Sequence, residues 1–389
     1  MADAPDGNRV QYRFLDGMRG IAAVTVVLLH TYLYTGLEGE AQTGLPEILR
    51  IFPVVGTFGV PTFIVLAGFV LTLPIARHSE LRLPRSLWSY VKRRARRILP
   101  PYYASLALCL VLIWSIPSMS SDLGTAWDTK VPVTSDGLVA HLLLIHNLHA
   151  AWALQINGPA WSIATEWQLY FTLPLLILPI WRRFGRVPML LSVTLLGFGI
   201  TAVFPTTAAG GLWYISLFAL GALAADVCVA GHHIPMLVPG TVVAWLAATG
   251  AAVVAEARAG LPGSSLLSIG AACLVGLAVA LLVIQLTRAE RGFFVVVRRL
   301  LDSTGLVWLG LWSYSLYLVH SPLLALGNVL LMDIEMSTTQ RFLIQFLIVM
   351  PLSALTAYLF HRVVERRFLT GHQRDLQRAV SINDGRLRK

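Results

Sequence analysis

Hydrophobic positions in this chain come in long unbroken blocks, without the alternation of a half-buried strand. Windows of about 20 residues nearly free of charge recur along it, and that is the length a helix needs to cross the hydrocarbon layer of a bilayer. The blocks predict spans near 14–34, 54–76, 99–117, 161–181, 188–205, 211–229, 238–257, 265–287, 305–331 and 341–361. The run from His141 to His149 is too short to cross, and it carries three histidines and Asn147. It is expected to be re-entrant or interfacial. The predicted fold class is all-α, a polytopic integral membrane bundle of about ten transmembrane helices with one such short helix.

Composition supports this. Of 389 residues, 56% are hydrophobic and 13% charged, about half the charged share of an ordinary soluble domain. Mean hydropathy is +0.69. A soluble core of this size could not hide so much apolar surface. Cys109, Cys228 and Cys273 are few, far apart and set in apolar runs, so they are expected to pack rather than to bridge or bind zinc.

The formal charge of +10 raises the question of nucleic acid, but its distribution points to a membrane. With ten crossings and the N-terminus inside, 26 of the 30 cations fall on inner segments, leaving Arg50, Lys130, Arg258 and Arg341 outside. Lys and Arg are retained on the cytoplasmic side. An eleventh span at 138–150 would destroy the asymmetry. The expected organisation is a cytoplasmic N-terminal segment 1–13, a membrane domain 14–365 and a basic cytoplasmic tail 366–389, with the lipid bilayer as partner and no nucleic acid.

Polar residues inside membrane helices are costly and mark function. The first span carries Asp16, Arg19 and, eleven positions on, His30. Eleven residues are close to three turns, so Arg19 and His30 share a face with roughly 16 Å of rise between them. Asp16 stands where it can pair with Arg19. Snorkelling is the bland alternative for Arg19 and simple packing for His30.

The second span holds Phe63-Ile64-Val65-Leu66-Ala67-Gly68-Phe69, whose small residues permit close helix approach. Ahead of the third span, Lys92, Arg93, Arg94, Arg96 and Arg97 place five cations within six positions. They serve equally well as an anchor on anionic headgroups or as a grip on a polyanionic cofactor, since Arg takes phosphate bidentately.

The fourth span opens with Trp161 and Ser162 and carries Glu166, expected in its outer half at the depth of His30. A carboxylate beside an imidazole fixes its tautomer and stabilises its charged form. The ninth span presents Ser313, Tyr314, Tyr317 and His320, either a polar stripe or part of an aromatic interfacial belt.

These five pieces, in this order, resemble the acyltransferase-3 family of multi-span membrane O-acyltransferases. A leading D-x-L-R-G and a later His stand here as Asp16 to Gly20 and His30. F-F-V-L-S-G-F stands as Phe63 to Phe69, and R-R-x-x-R-I-x-P as Arg93 to Pro100. W-S-L-S-V-E-E-Q-F-Y stands as Trp161 to Tyr170, and S-Y-x-L-Y-L-x-H-x-P as Ser313 to Pro322. Ala67, Trp167 and Leu169 depart from the pattern; Trp167 removes the second carboxylate of the fourth motif.

The resemblance implies transfer of an acyl group from acyl-CoA, most commonly acetyl-CoA, to a hydroxyl of a glycan or a glycosylated small molecule such as a macrolide. It implies a bacterial cell membrane and no resident metal. His30 would be the general base oriented by Glu166, Arg19, Arg93, Arg94 and Arg97 would hold the cofactor phosphates, and Trp161, Ser162, Tyr314, Tyr317 and His320 would line the acceptor side. The rival reading is a proton-coupled transporter of a small molecule or glycan, using the same His, Arg and Glu groups.

Overall fold

A computed structural model describes residues 12–78, 80–204, 211–231, 237–259 and 266–369. Residues 1–11 of the expected N-terminal segment 1–13 and residues 370–389 of the expected tail 366–389 lie outside the described residues. Among the described residues nine helices are long and apolar enough to cross a membrane. A further helix of 19 residues, Ser313–Leu331, runs through the middle of the bundle. The long helices are α1 (Phe14–Leu33), α2 (Gly59–Ala76), α3 (Leu87–Ser115), α4 (Gly158–Phe184), α5 (Arg186–Val203), α6 (Ile215–Ala230), α7 (Leu237–Ala259), α8 (Leu266–Arg288), α9 (Ser313–Leu331) and α10 (Thr338–Val363). The protein is a polytopic membrane helical bundle.

Local sequence explains several boundaries. Ser86 caps α3 by accepting from the amide of Ser89 at 3.3 Å, and Ser337 with Gln340 forms a capping box at the head of α10. Both α4 and α10 contain a π-turn, at Leu173–Ile177 and Gln345–Val349. Pro174 lies inside the first and Pro351 just beyond the second, where the missing amide breaks the regular ladder. The expected ninth span, 305–331, is two pieces. Thr304–Leu311 ends at Trp312, whose φ of −118° and ψ of 12° are not helical, and α9 begins one residue later.

Glycines set the tightest crossings. A Cβ on Gly68 would meet the carbonyl of Phe218 on α6, and one on Gly221 would meet the carbonyl of Val65 on α2. The small-residue stripe of the second span is thus the seam of α2 with α6. Gly17 lies against Leu301, Gly20 against Gly310, and Gly310 against the Asp16 carbonyl. The glycines around Arg19 let Thr304–Leu311 clasp the first helix. Leu191, Leu195, Val243, Leu246, Leu347, Leu352 and Leu359 all face outward. In water such a surface would be a liability; in lipid it is the solvated face.

The His141–His149 run folds as short helical turns held between α3 and α4. Tyr102 and Tyr103 donate to the carbonyls of His141 and Leu142 at 3.0 and 2.7 Å. Asn147 donates to the Thr165 hydroxyl at 3.1 Å, and Gln168 donates to the Asn147 side-chain oxygen at 2.8 Å.

Candidate active site

The polar residues form a column along α9, in two layers. Three residues of helix rise about 4.5 Å, so Tyr314, Tyr317 and His320 climb one side of the column step by step.

The upper layer is built on imidazoles. His30 Nδ1 lies 2.8 Å from the Val26 carbonyl, which can only accept, so Nδ1 carries the proton. By the same argument His320 Nδ1, 3.0 Å from the Leu316 carbonyl, is protonated and its Nε2 is bare. That bare nitrogen lies 3.3 Å from His30 Nδ1, with the rings edge-on at 4.9 Å. The His30 N–H is therefore shared between a carbonyl and an imidazole lone pair, and His30 Nε2 is left as a base. His320 is fully buried, whereas His30 is partly exposed. Tyr34 stands beside His30 at 5.9 Å between ring centres and bonds Ser321 at 2.8 Å.

Below the imidazoles, Ser162 and Tyr317 bond at 2.6 Å, and the Tyr317 hydroxyl donates to the Pro159 carbonyl at 3.0 Å. Asn157 ties the same loop to the Leu318 carbonyl at 2.8 Å. Trp161 packs on Tyr214 at 5.9 Å, to the side of this contact.

The lower layer is ionic. Arg97 pairs with Glu365 at 2.7 Å and lies 5.8 Å over the Tyr314 ring. The other Glu365 oxygen accepts from His361 at 2.7 Å and from Ser315 at 2.5 Å. Tyr314 donates to the Ile98 carbonyl at 3.1 Å. Glu166 accepts from Tyr170, one turn along α4, and the cations acting on its carboxylate are Arg19, Arg94 and Arg97. Arg19 also pairs with Asp16 at 3.4 Å. Within the basic run Lys92 and Arg96 are exposed, while Arg93, Arg94 and Arg97 turn partly inward.

The expected His30–Glu166 pair is therefore not what the structure forms. Every hydrogen bond and ring contact of His30 goes to Val26, Tyr34 or His320, and Glu166 belongs with the arginines. Two further buried acidic groups, not singled out from the sequence, take part in ion pairs. Asp226 in α6 pairs with Arg186 at 2.6 Å. Glu365, fully buried, sits in a run of cations at the chain's basic end. Its signal was the spacing His361-x-x-x-Glu365, one helical turn.

The structure is a membrane-type helical bundle that carries an imidazole pair above a layer of guanidinium groups. The chain belongs to the acyltransferase-3 family, whose acyltransferase domain it matches over residues 12–362, and it is an acyltransferase. Among curated proteins it is similar to Acyltransferase MdmB of Streptomyces mycarofaciens. The two are 27% identical over 344 residues, which cover 82% of this chain and 80% of the relative. No solved structure matches it.

Proposed function

We propose that this protein moves an acyl group, acetyl in the simplest case, from acyl-CoA to a hydroxyl of a sugar-bearing acceptor, either a glycosylated small molecule or a surface glycan. The bilayer is the bacterial cell membrane, with both termini cytoplasmic and the arginine layer nearest the cytosol. The observation that carries this reading is His30 with its Nδ1 proton committed and its Nε2 free.

In the proposed reaction the acceptor hydroxyl gives its proton to His30 Nε2 as its oxygen attacks the thioester carbonyl carbon. The Val26 carbonyl and His320 Nε2 then both accept from the imidazolium Nδ1–H and spread its charge, work an orienting carboxylate does elsewhere. The tetrahedral intermediate collapses with loss of the C–S bond. The leaving thiolate takes the proton back from His30 Nε2, so ester and free CoA form with protons balanced.

Arg19, Arg93 and Arg94 hold the CoA phosphates, with Arg97 fixed beside them by Glu365. The pantetheine arm covers the roughly 16 Å of α1 between Arg19 and His30. Ser162, Tyr317 and Trp161 stand on the acceptor side.

The test is to incubate membranes carrying the protein with radiolabelled acetyl-CoA and a host-cell extract, following label into lipid, glycan and small-molecule fractions. Wild type should label one fraction and His30→Ala none. Equal labelling by the His30→Ala protein would remove the proposed base. Arg19→Ala should raise the half-saturating acetyl-CoA concentration.

A further inference from the structure

A cation is buried close to the imidazole layer, on the opposite side from Arg19, Arg94 and Arg97. Lys130 lies in the loop joining α3 to α4, in a short turn Asp128–Lys130, and only 7% of its surface is exposed. Its ammonium donates to the Ala126 carbonyl at 2.8 Å and to Thr129 at 2.6 Å. It lies 5.6 Å from the centre of the Tyr34 ring. Tyr34 is the ring that packs on His30, so a single aromatic side chain separates ammonium from imidazole. Lys130 makes no ion pair among the described residues. Glu38, Asp128 and His30 are the charged or titratable groups that act on it or feel it, and Asp128 is occupied in accepting from Leu123, Thr125 N and Thr125 Oγ1.

The loop is built to hold the ammonium there. Trp127 is buried and donates to the Met119 carbonyl at 2.9 Å, while Ile156 N donates to the Lys130 carbonyl at 3.0 Å. Gly158 leaves room for the lysine stem, since a Cβ there would lie 2.7 Å from Lys130 Cε. An ammonium has three N–H donors, and two are used. A buried cation with a spare donor and no directly paired carboxylate among the described residues is costly unless something meets it.

We infer that Lys130 is an acceptor-positioning residue, whose third N–H takes an oxygen of the hydroxyl-bearing acceptor and holds it over Tyr34 within reach of His30. This deepens the proposed function and rests on it. The donor-side arginines and Lys130 then flank the imidazole pair from opposite ends of α1.

Charge loss gives a second handle. Burial pulls the Lys130 pKa down to about 8, so the positive charge is lost as pH rises through that value, well below an ordinary lysine.

The experiment uses the full chain in membranes with radiolabelled acetyl-CoA, titrating the acceptor-containing host extract at fixed acetyl-CoA and then the reverse. Lys130→Met should raise the half-saturating extract concentration about tenfold or more while leaving that for acetyl-CoA within about twofold. Lys130→Arg should recover part of the loss. Gly158→Ala, which pushes the lysine stem aside, should shift the same parameter less. The wild-type extract requirement should climb above about pH 8, and the Lys130→Met protein should be flat there.

If Lys130→Met unfolds in detergent, Lys130→Arg, Gly158→Ala and the wild-type pH profile still decide. Unchanged extract titrations in the variants, or equal shifts for both substrates, overturn this inference alone provided His30→Ala is inactive. A wild type that labels no fraction, or a fully active His30→Ala protein, overturns the proposed function and this inference with it.

Discussion

The two layers of the polar column solve burial in opposite ways. In the lower layer charge meets charge: Arg97 with Glu365, Arg19 with Asp16, and Glu166 among three guanidinium groups. In the upper layer the imidazoles meet carbonyls, a hydroxyl-bearing ring and each other. Carboxylates are absent from their contacts. A carboxylate beside His30 would favour its charged form, whereas a base must start neutral to accept a proton. The contrast teaches that this bundle keeps its carboxylates and guanidinium groups one layer away from the group that has to change charge.

The contrast can be broken at several points. His30→Ala should give the largest effect, a loss of transfer of about a thousandfold or more, read by label transfer with detergent stability unchanged. Arg97→Ala strands Glu365 as an uncompensated buried charge and should destabilise the fold by about 3–5 kcal/mol. Thermal unfolding in detergent checks this, and an Arg97→Ala protein as stable as wild type would show that Glu365 is held by His361 and Ser315 alone. His320→Ala should slow transfer by about 10–100-fold, less than loss of His30, because the Val26 carbonyl still fixes the tautomer. Steady-state rates at saturating acetyl-CoA measure it.

Gly310→Val, which drives a side chain into the backbone of α1 at Asp16, should cost about 1–3 kcal/mol by the same unfolding assay. Tyr317→Phe removes the bond to Ser162 and should cost about 1 kcal/mol, with a small change in acceptor half-saturation.

Much of the scaffold was legible in the sequence because a membrane span is a one-dimensional property. Length and freedom from charge placed the crossings, and spacing along one helix placed Asp16, Arg19 and His30 on a common face. Which helix meets which is not such a property. His30 and Glu166 were expected together because both were assigned to similar depths, but depth along separate helices leaves register and facing open. The registry is fixed by glycine seams, Gly68 and Gly221 between α2 and α6 and Gly20 with Gly310, whose partners the sequence does not name. Glu365 stayed hidden because its neighbours Arg366 and Arg367 made it look like part of a solvated tail. The break at Trp312 stayed hidden because hydropathy runs smoothly across it and no proline marks it.

The clasp of Thr304–Leu311 on the first helix has a mechanical corollary. Backbone touching backbone at Gly17, Gly20 and Gly310 leaves no slack for α1 to slide or roll, and α9, which carries His320, follows directly after Trp312 on the same stretch of chain. The distance from Arg19 to His30 is thereby a fixed ruler, read in whole residues. Adding one alanine between them would turn the imidazole by about 100° and lift it by about 1.5 Å, leaving every group intact and the thioester delivered to the wrong address.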